Sequence, residues 1–239
     1  MVSLILAFAT FITSIISAII GMGGGILLLS VMTFFMPMSM IIPIHGLVQL
    51  ISNSSRLIIL RKNIKLQFTA YFLIGLPFGV ALATYILKNY FTDKHALIVV
   101  ISLIIYSIFK PKKMPHLKLE RFGWTGLGFC VGILAIIAGA VGPMIAPFFI
   151  RDDLKKEEIV ATKASLQMFA HFMKIPAFFY LDFDYQAHLD LIILLGVIAI
   201  IGTKVGTLIL PKVDNQLFRK LFKFVLGLSG VKIIFEIFE

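Results

Sequence analysis

The 239-residue sequence is poor in what a soluble domain needs: 14% of its residues are charged, with one cysteine and one tryptophan. A soluble domain carries roughly 25% charged residues. Residues 1–55 contain no Lys, Arg, Asp or Glu, and 66–87 and 122–150 are equally free of charge. These absences exclude a soluble enzyme, a disulfide scaffold and a disordered chain. The lone Cys130 has no internal disulfide partner and leaves the redox compartment open. No HExxH or GxSxG motif and no metal-binding cluster is present, and His95, His116 and His188 stand singly. Neither catalysis nor a cofactor is expected.

What is present is apolar: 59% of residues are hydrophobic and the mean hydropathy is +1.01. Each charge-free stretch exceeds the roughly 18 residues that mark a membrane-spanning candidate, so the chain reads as an all-α, polytopic membrane protein. Its N-terminal segment has no cationic leader region and is expected to be a mature membrane helix. The net charge of +10 therefore points to the lipid bilayer rather than to nucleic acid.

Apolar segments lie near 2–20, 26–35, 41–60, 68–87, 96–109, 122–139, 142–150, 159–179, 189–209 and 221–238. Segments 26–35 and 142–150 are too short to cross a hydrocarbon core about 30 Å thick at about 1.5 Å per residue. Each follows a glycine-rich break, Gly21-Met22-Gly23-Gly24-Gly25 or Gly139-Ala140-Val141-Gly142-Pro143, and the breaks are 118 residues apart. The same shift pairs Gln49 with Gln167, Asn53 with His171 and Arg56 with Lys174; a further slip of nine pairs Gly75 and Gly79 with Gly202 and Gly206. This series predicts a duplication: a first repeat over 1–110, a basic cytoplasmic linker over 111–121 and a second repeat over 122–239.

Cations set the topology, because Lys and Arg in short loops favour the cytoplasmic side. If each short segment forms a re-entrant hairpin with the preceding helix, each half has five segments and the second half is inverted. The connections 61–65, 110–121, 151–156 and 212–223 then lie inside with 15 positive charges, against Lys88 and Lys94 outside. Asp182, Asp184, Asp190 and both termini fall outside. Trp124 and the six tyrosines lie near segment ends, where interfacial anchors belong. The basic linker is expected to meet anionic lipid.

Five cations remain within apolar segments: Arg56, Lys163, Lys174, Lys204 and Lys232. No carboxylate lies deep in any segment. A cation at the bilayer centre costs about 2.5–3.5 kcal/mol. Lys204 and Lys232 read as snorkelling from helix ends; Arg56 and Lys174 read as partners of a solute anion. Their neighbours support this. His45, Gln49, Asn53 and Arg56 fall in one sector of a helix, and Lys163, Gln167, His171 and Lys174 repeat the same offsets. Helix-to-helix hydrogen bonding is the plain alternative for these stripes. Half-helices beginning at Gly23–Gly25 and Gly142–Pro143 would present free N–H groups and positive dipole ends to an anion.

At these residues the sequence resembles the TauE/SafE family of sulfite exporters and related anion transporters. The resemblance rests on GMGGGILLLS at 21–30, its counterpart GAVGPMIAP at 139–147, and the placement of IGLPFG and IGTKVG; it extends along almost the whole chain. Ser30 replaces a proline common after the first motif, and Ile42-Pro43-Ile44-His45-Gly46 replaces a small Ala/Thr segment that Ala161-Thr162 matches in the second half. The resemblance implies a secondary transporter for a sulfur-containing anion, sulfite or an organosulfonate such as sulfoacetate, in the cytoplasmic membrane. The expected substrate-binding residues are Gly23, Gly24, Gly25, Gln49, Asn53, Arg56, Gly142, Pro143, Gln167, His171 and Lys174. Coupling stays open between a proton carried by His171 or His45 and uniport. An anion channel or a non-transporting assembly factor are the alternatives, and a homo-oligomer is compatible with the sequence.

Overall fold

The computed structural model describes residues 1–21, 23–90, 102, 119–149 and 153–210. The expected segments 96–109, apart from residue 102, and 221–238, the linker through residue 118, and Lys94 and Lys232 lie outside the described residues. Within them the principal helices are α1 (Val2–Ile20), α2 (Gly24–Met32), α3 (Met38–Ile59), α4 (Leu66–Tyr90), α5 (Arg121–Ile137), α6 (Gly142–Ile145), α7 (Lys156–Phe172), α8 (Lys174–Tyr180) and α9 (Leu189–Ile209), and no strand occurs among them. By length and composition, Val2–Ile20, Leu66–Tyr90 and Gln186–Ile209 could each cross a membrane. Helix α3 has 22 residues, about 33 Å at the helical rise, but carries the first polar stripe.

The exterior is apolar. Ile193, Val197, Ile200, Ile201 and Leu208 project outward from α9 in one stripe at helical spacing, as a lipid-facing helix requires. Lys204 is exposed on that same face, about one turn from the helix end, where its ammonium can reach an interface. The hydroxyl residues in the second half of α1 lie on the inward side: Thr10, Thr13, Ser14 and Ser17 are all buried.

Helix pairs approach closely where glycine removes side chains. Helix α4 packs on α5 and α1 on α9. A Cβ on Gly75 or Gly79 would strike the carbonyl of Thr125 or Phe129; on Gly202 or Gly206 it would strike that of Phe11 or Ile15. Backbone-to-backbone contact of this kind is what small residues permit between membrane helices. Between these pairs, α3 packs on α7. Hydroxyl pairs tie the layers together: Ser52 Oγ with Thr203 Oγ1 at 3.0 Å, and Thr69 Oγ1 with Ser165 Oγ at 3.0 Å.

The loops sort by end. Lys65 Nζ contacts Glu158 Oε1 at 2.7 Å, Lys156 Nζ donates to the Leu210 carbonyl at 2.6 Å, and the Arg121 guanidinium lies 5.8 Å from the Tyr71 ring centroid. The hydrogen bond from Lys65, with one from the Lys155 N–H that closes a capping box, holds the Glu158 carboxyl below the usual carboxylate range. Lys88 lies elsewhere, 4.2 Å from the centroid of the Tyr180 ring.

Three local features differ from the sequence reading. Segment 159–179 is two helices, α7 and α8, parted at Met173; Pro176 lacks the N–H that would bond the Phe172 carbonyl. The segment after the second glycine break is a single α-turn continued by a 3-10 turn at Ala146–Phe149, because Pro147 cannot donate the bond that would extend the α-helix. Trp124 is buried, not interfacial. It packs on Phe68 and Phe149, and its Nε1 donates to the Leu119 carbonyl at 3.1 Å, which meets the indole's one polar need.

Candidate functional site

Both glycine motifs break their helices. Helix α1 ends on Gly21 (φ 71°), whose N–H donates to the Ser17 carbonyl, and α2 starts from Gly23 (φ 93°). Two positive φ values within three residues require glycine. At the second break Gly139 takes φ 75°. The loop and the first turn of α6 then bring Ala140, Val141 and Gly142 up to the same place as Gly23, Gly25 and Ile26.

A small cavity lies where the breaks meet. It is lined by Ser17, Gly23, Gly25, Ile26, His45, Gln49, Ala140, Val141, Gly142, Gln167 and His171, and encloses about 10 Å³, the space of about one water. His45 Nε2 donates to the Gly25 carbonyl at 2.8 Å. The His45 and His171 rings meet edge to face with centroids 5.9 Å apart. The Nδ1 atoms of both rings are buried without a hydrogen-bond partner. A Cβ on Gly25 would stand 3.2 Å from Gln49 Oε1, so the bare glycine is what leaves room at this wall.

Of the expected binding residues, the cavity gathers Gly23, Gly25, Gln49, Gly142, Gln167 and His171. Gly24 faces elsewhere: a Cβ there would strike the Thr13 carbonyl of α1. Pro143 occupies the first turn of α6. Asn53 and Arg56 form a separate buried group on α3. Asn53 Nδ2 donates to the Gln49 carbonyl at 2.8 Å, Arg56 Nη1 to Asn53 Oδ1 at 3.2 Å and Nη2 to Ser52 Oγ at 3.5 Å. Arg56 is 0% exposed, and its Nε has no partner. Lys174, also buried, lies behind the cavity wall. Its Nζ donates to the Gly139 carbonyl at 2.7 Å, and its stem passes over Gly46, where a Cβ would stand 2.8 Å from Lys174 Cδ. A lysine at the end of α5 complements both the free carbonyls and the negative end of that helix.

Five lining residues lie outside the expected set, the apolar Ile26, Ala140 and Val141 and the polar His45 and Ser17. His45 belongs to the first polar stripe, where the sequence suggests a proton carrier rather than a binding group. Ser17 ends the hydroxyl series Thr10, Thr13, Ser14, Ser17, whose i, i+3, i+4, i+7 spacing was readable in α1.

The model of the sulfite exporter TauE/SafE family matches residues 6–233. The chain belongs to the TauE/SafE family. No curated protein and no solved structure matches it. Membership makes the chain a membrane transporter of the sulfite and anion exporter kind rather than an enzyme, with a small anion and the lipids of its membrane as partners. In this TauE/SafE chain the chamber that both glycine motifs line carries Ser17, His45, Gln49, Gln167 and His171 as its polar side chains, with Lys174 behind it on the Gly139 carbonyl.

Proposed function

We propose that the protein moves a small sulfur-containing anion, sulfite or an organosulfonate, across the cytoplasmic membrane by alternating access between two inverted halves, with the chamber between the glycine breaks as the binding site. The observation that carries this reading is the convergence of both breaks, Gln49, Gln167 and the two histidines on one small volume. Backbone N–H groups at the start of α2, amide side chains and imidazole N–H groups are the donors a sulfo group accepts. The nine-residue α2 carries a helix dipole toward the chamber. The single turn of α6 does not, and at that side Lys174 supplies the positive charge. Arg56 with Asn53 lies about two turns along α3 from Gln49 and would draw the anion from that direction.

The contacts support two-fold exchange. Gly21 abuts Val160 and Gly139 abuts Ile42; both members of one contact are 118 residues from their counterparts in the other. Gly79 meets the Phe129 carbonyl as Gly202 meets that of Phe11, and Phe11 and Phe129 are again 118 apart. This register is one helical turn from the pairing of Gly75 with Gly202 read from sequence. A chamber of about 10 Å³ is smaller than any sulfur oxyanion, and a carrier whose site widens as it opens to each side in turn fits this better than a standing channel.

Purified protein in proteoliposomes tests the proposal. Saturable sulfite or sulfonate uptake that is stimulated by the same anion on the opposite side is expected, with Gln49→Leu and Gln167→Leu each lowering it at least about tenfold. Flux that ignores these anions at every pH, or that shows no countertransport, overturns it.

A further inference from the structure

The exterior carries a second cavity, a trough between α4 and α8 of about 550 Å³, within the roughly 300–1,000 Å³ of small-molecule sites. Its floor is apolar and low, because Pro77 and Ala81 of α4 and Pro176 and Ala177 of α8 are short side chains. Phe78, Leu82 and Phe179 of the same two helices are exposed, as on a surface that faces lipid. One end is polar: Tyr85, Lys88, Asn89 and Tyr180 line it, and all four are exposed. Pro77 and Lys88 are eleven residues apart on α4, about 16 Å at the helical rise. The hydrocarbon core is about 30 Å thick, so the trough runs the depth of one leaflet, ending where tyrosine and lysine side chains reach the headgroups.

The polar end offers donors and a positive charge. The Lys88 ammonium lies 4.2 Å from the centroid of the Tyr180 ring, a contact that holds it at the rim. Among the described residues no carboxylate pairs with it, and none lines the trough. In the loop that follows Tyr180, Asp182 is exposed outside the lining, and Asp184 is engaged in its own turn, accepting from the Gln186 and Ala187 N–H groups. Asn89 Nδ2 gives one hydrogen to the Tyr85 carbonyl at 2.7 Å. Its second hydrogen, the hydroxyls of Tyr85 and Tyr180 and the ammonium are left as donors, the set that a phosphate accepts.

We propose that this trough holds an anionic glycerophospholipid, with its phosphate on Lys88, Tyr85 and Tyr180 and one acyl chain lying over Ala81 and Ala177 toward Pro77. The charge decides the headgroup. A choline headgroup would bring a cation to an end that has an ammonium and no carboxylate in its lining, whereas an anionic lipid gains about one surface lysine's worth of attraction. A second copy of the chain fits less well, because a two-fold contact is self-complementary and would bring two Lys88 ammoniums to one trough. The site stands apart from the chamber and does not depend on which anion the chamber takes.

Native mass spectrometry on the full-length protein in a nonionic detergent tests this with phosphatidylglycerol, phosphatidylcholine and glycerol phosphate. One phosphatidylglycerol per chain should bind about fivefold more tightly than phosphatidylcholine, and glycerol phosphate, which has no chain for the trough, should not compete. Lys88→Gln should bring phosphatidylglycerol down to the affinity of phosphatidylcholine. Lys204→Gln removes an exposed cation of α9 outside the trough and should leave the preference intact. Ala81→Phe fills the floor and should weaken both lipids; if that variant fails to fold, the two lysine variants still decide. Equal affinities for the two lipids, or equal losses in the two lysine variants, overturn the proposal. Competition by glycerol phosphate overturns it in favour of a free phosphate. Unchanged lipid binding in folded Ala81→Phe overturns it as well, since the trough would then be filled by a second copy or by another part of the chain.

Discussion

Gly24 and Gly25 are adjacent and identical in sequence, yet their surroundings give them different work. A Cβ at Gly24 would collide with the Thr13 carbonyl, and neither α1 nor α2 can move without opening the hairpin. A Cβ at Gly25 would meet Gln49 Oε1 at 3.2 Å and its Cδ at 3.3 Å, a side chain that can shift slightly into the chamber. Gly24→Ala should therefore lower folded yield and thermal stability, by about 1–3 kcal/mol as for overpacking elsewhere. Gly25→Ala should keep a near-normal melting profile and lose anion binding. A melting curve and a binding isotherm on both variants check the pair; equal destabilisation would place Gly25 in the packing too. Sequence could not separate them, since a GGG run has no side chain to show periodicity. It could place Gln49, Gln167 and His171 together, because their offsets from the glycine breaks repeat. It could not show that Asn53 and Arg56 turn to Ser52 and to each other instead of to the chamber, because one 80° sector of a long helix passes several depths and several neighbours.

Longer stretches of the chain were legible where one physical rule decided them. Long apolar runs marked α1, α4 and α9, and the glycine-rich motifs marked both breaks. Where two rules compete, the outcome was not readable: Pro147 and Pro176 lie in apolar runs that hydropathy joins and missing N–H groups divide. The IGLPFG and IGTKVG pairs looked like repeat markers, and the packing shows why, since each lets a helix touch its neighbour's backbone. Gly79→Val should then separate α4 from α5 at Phe129 and lower thermal stability, and Gly202→Val should do the same for α9 and α1 at Phe11. At the loop end, Glu158 links the 61–65 connection to α7. Its carboxyl is held below the usual range by Lys65 and the Lys155 N–H. A depressed folded value means that the ionised form stabilises the fold above the unfolded value near 4.5, and that this contribution is lost as pH falls through the folded one. The effect is small, because the pair is solvent-screened. Melting temperature should fall more steeply on acidification in wild type than in Glu158→Gln; parallel slopes would mean that the pair contributes nothing.

For the molecule as a whole, orientation and fold can be tested on one background. Cys130 is the only cysteine and is exposed, so Cys130→Ser removes all thiol chemistry at a site that takes no part in the core. Single cysteines can then be placed in the connections. The contacts of Lys65 with Glu158 and of Lys156 with Leu210 gather the 61–65 connection, the start of α7 and the end of α9 at one end, which the cation count predicts to be cytoplasmic. Lys88 and Tyr180 meet apart from it, beside a loop that carries Asp182 and Asp184. A membrane-impermeant maleimide applied to intact cells should label cysteines at Asp184 and Lys88, and should reach those at Asn63 and Lys155 only after permeabilisation. An odd number of crossings between the two glycine breaks would invert the second half, and this labelling pattern would follow from it: residue 63 follows α3 and residue 155 precedes α7, its counterpart in the second half, so both would face the cytoplasm only if the two helices cross in opposite senses. If the hairpins were full crossings instead, at least one of these four positions would change sides. The alternating-access proposal would then lose the symmetry that lets one chamber open to either face.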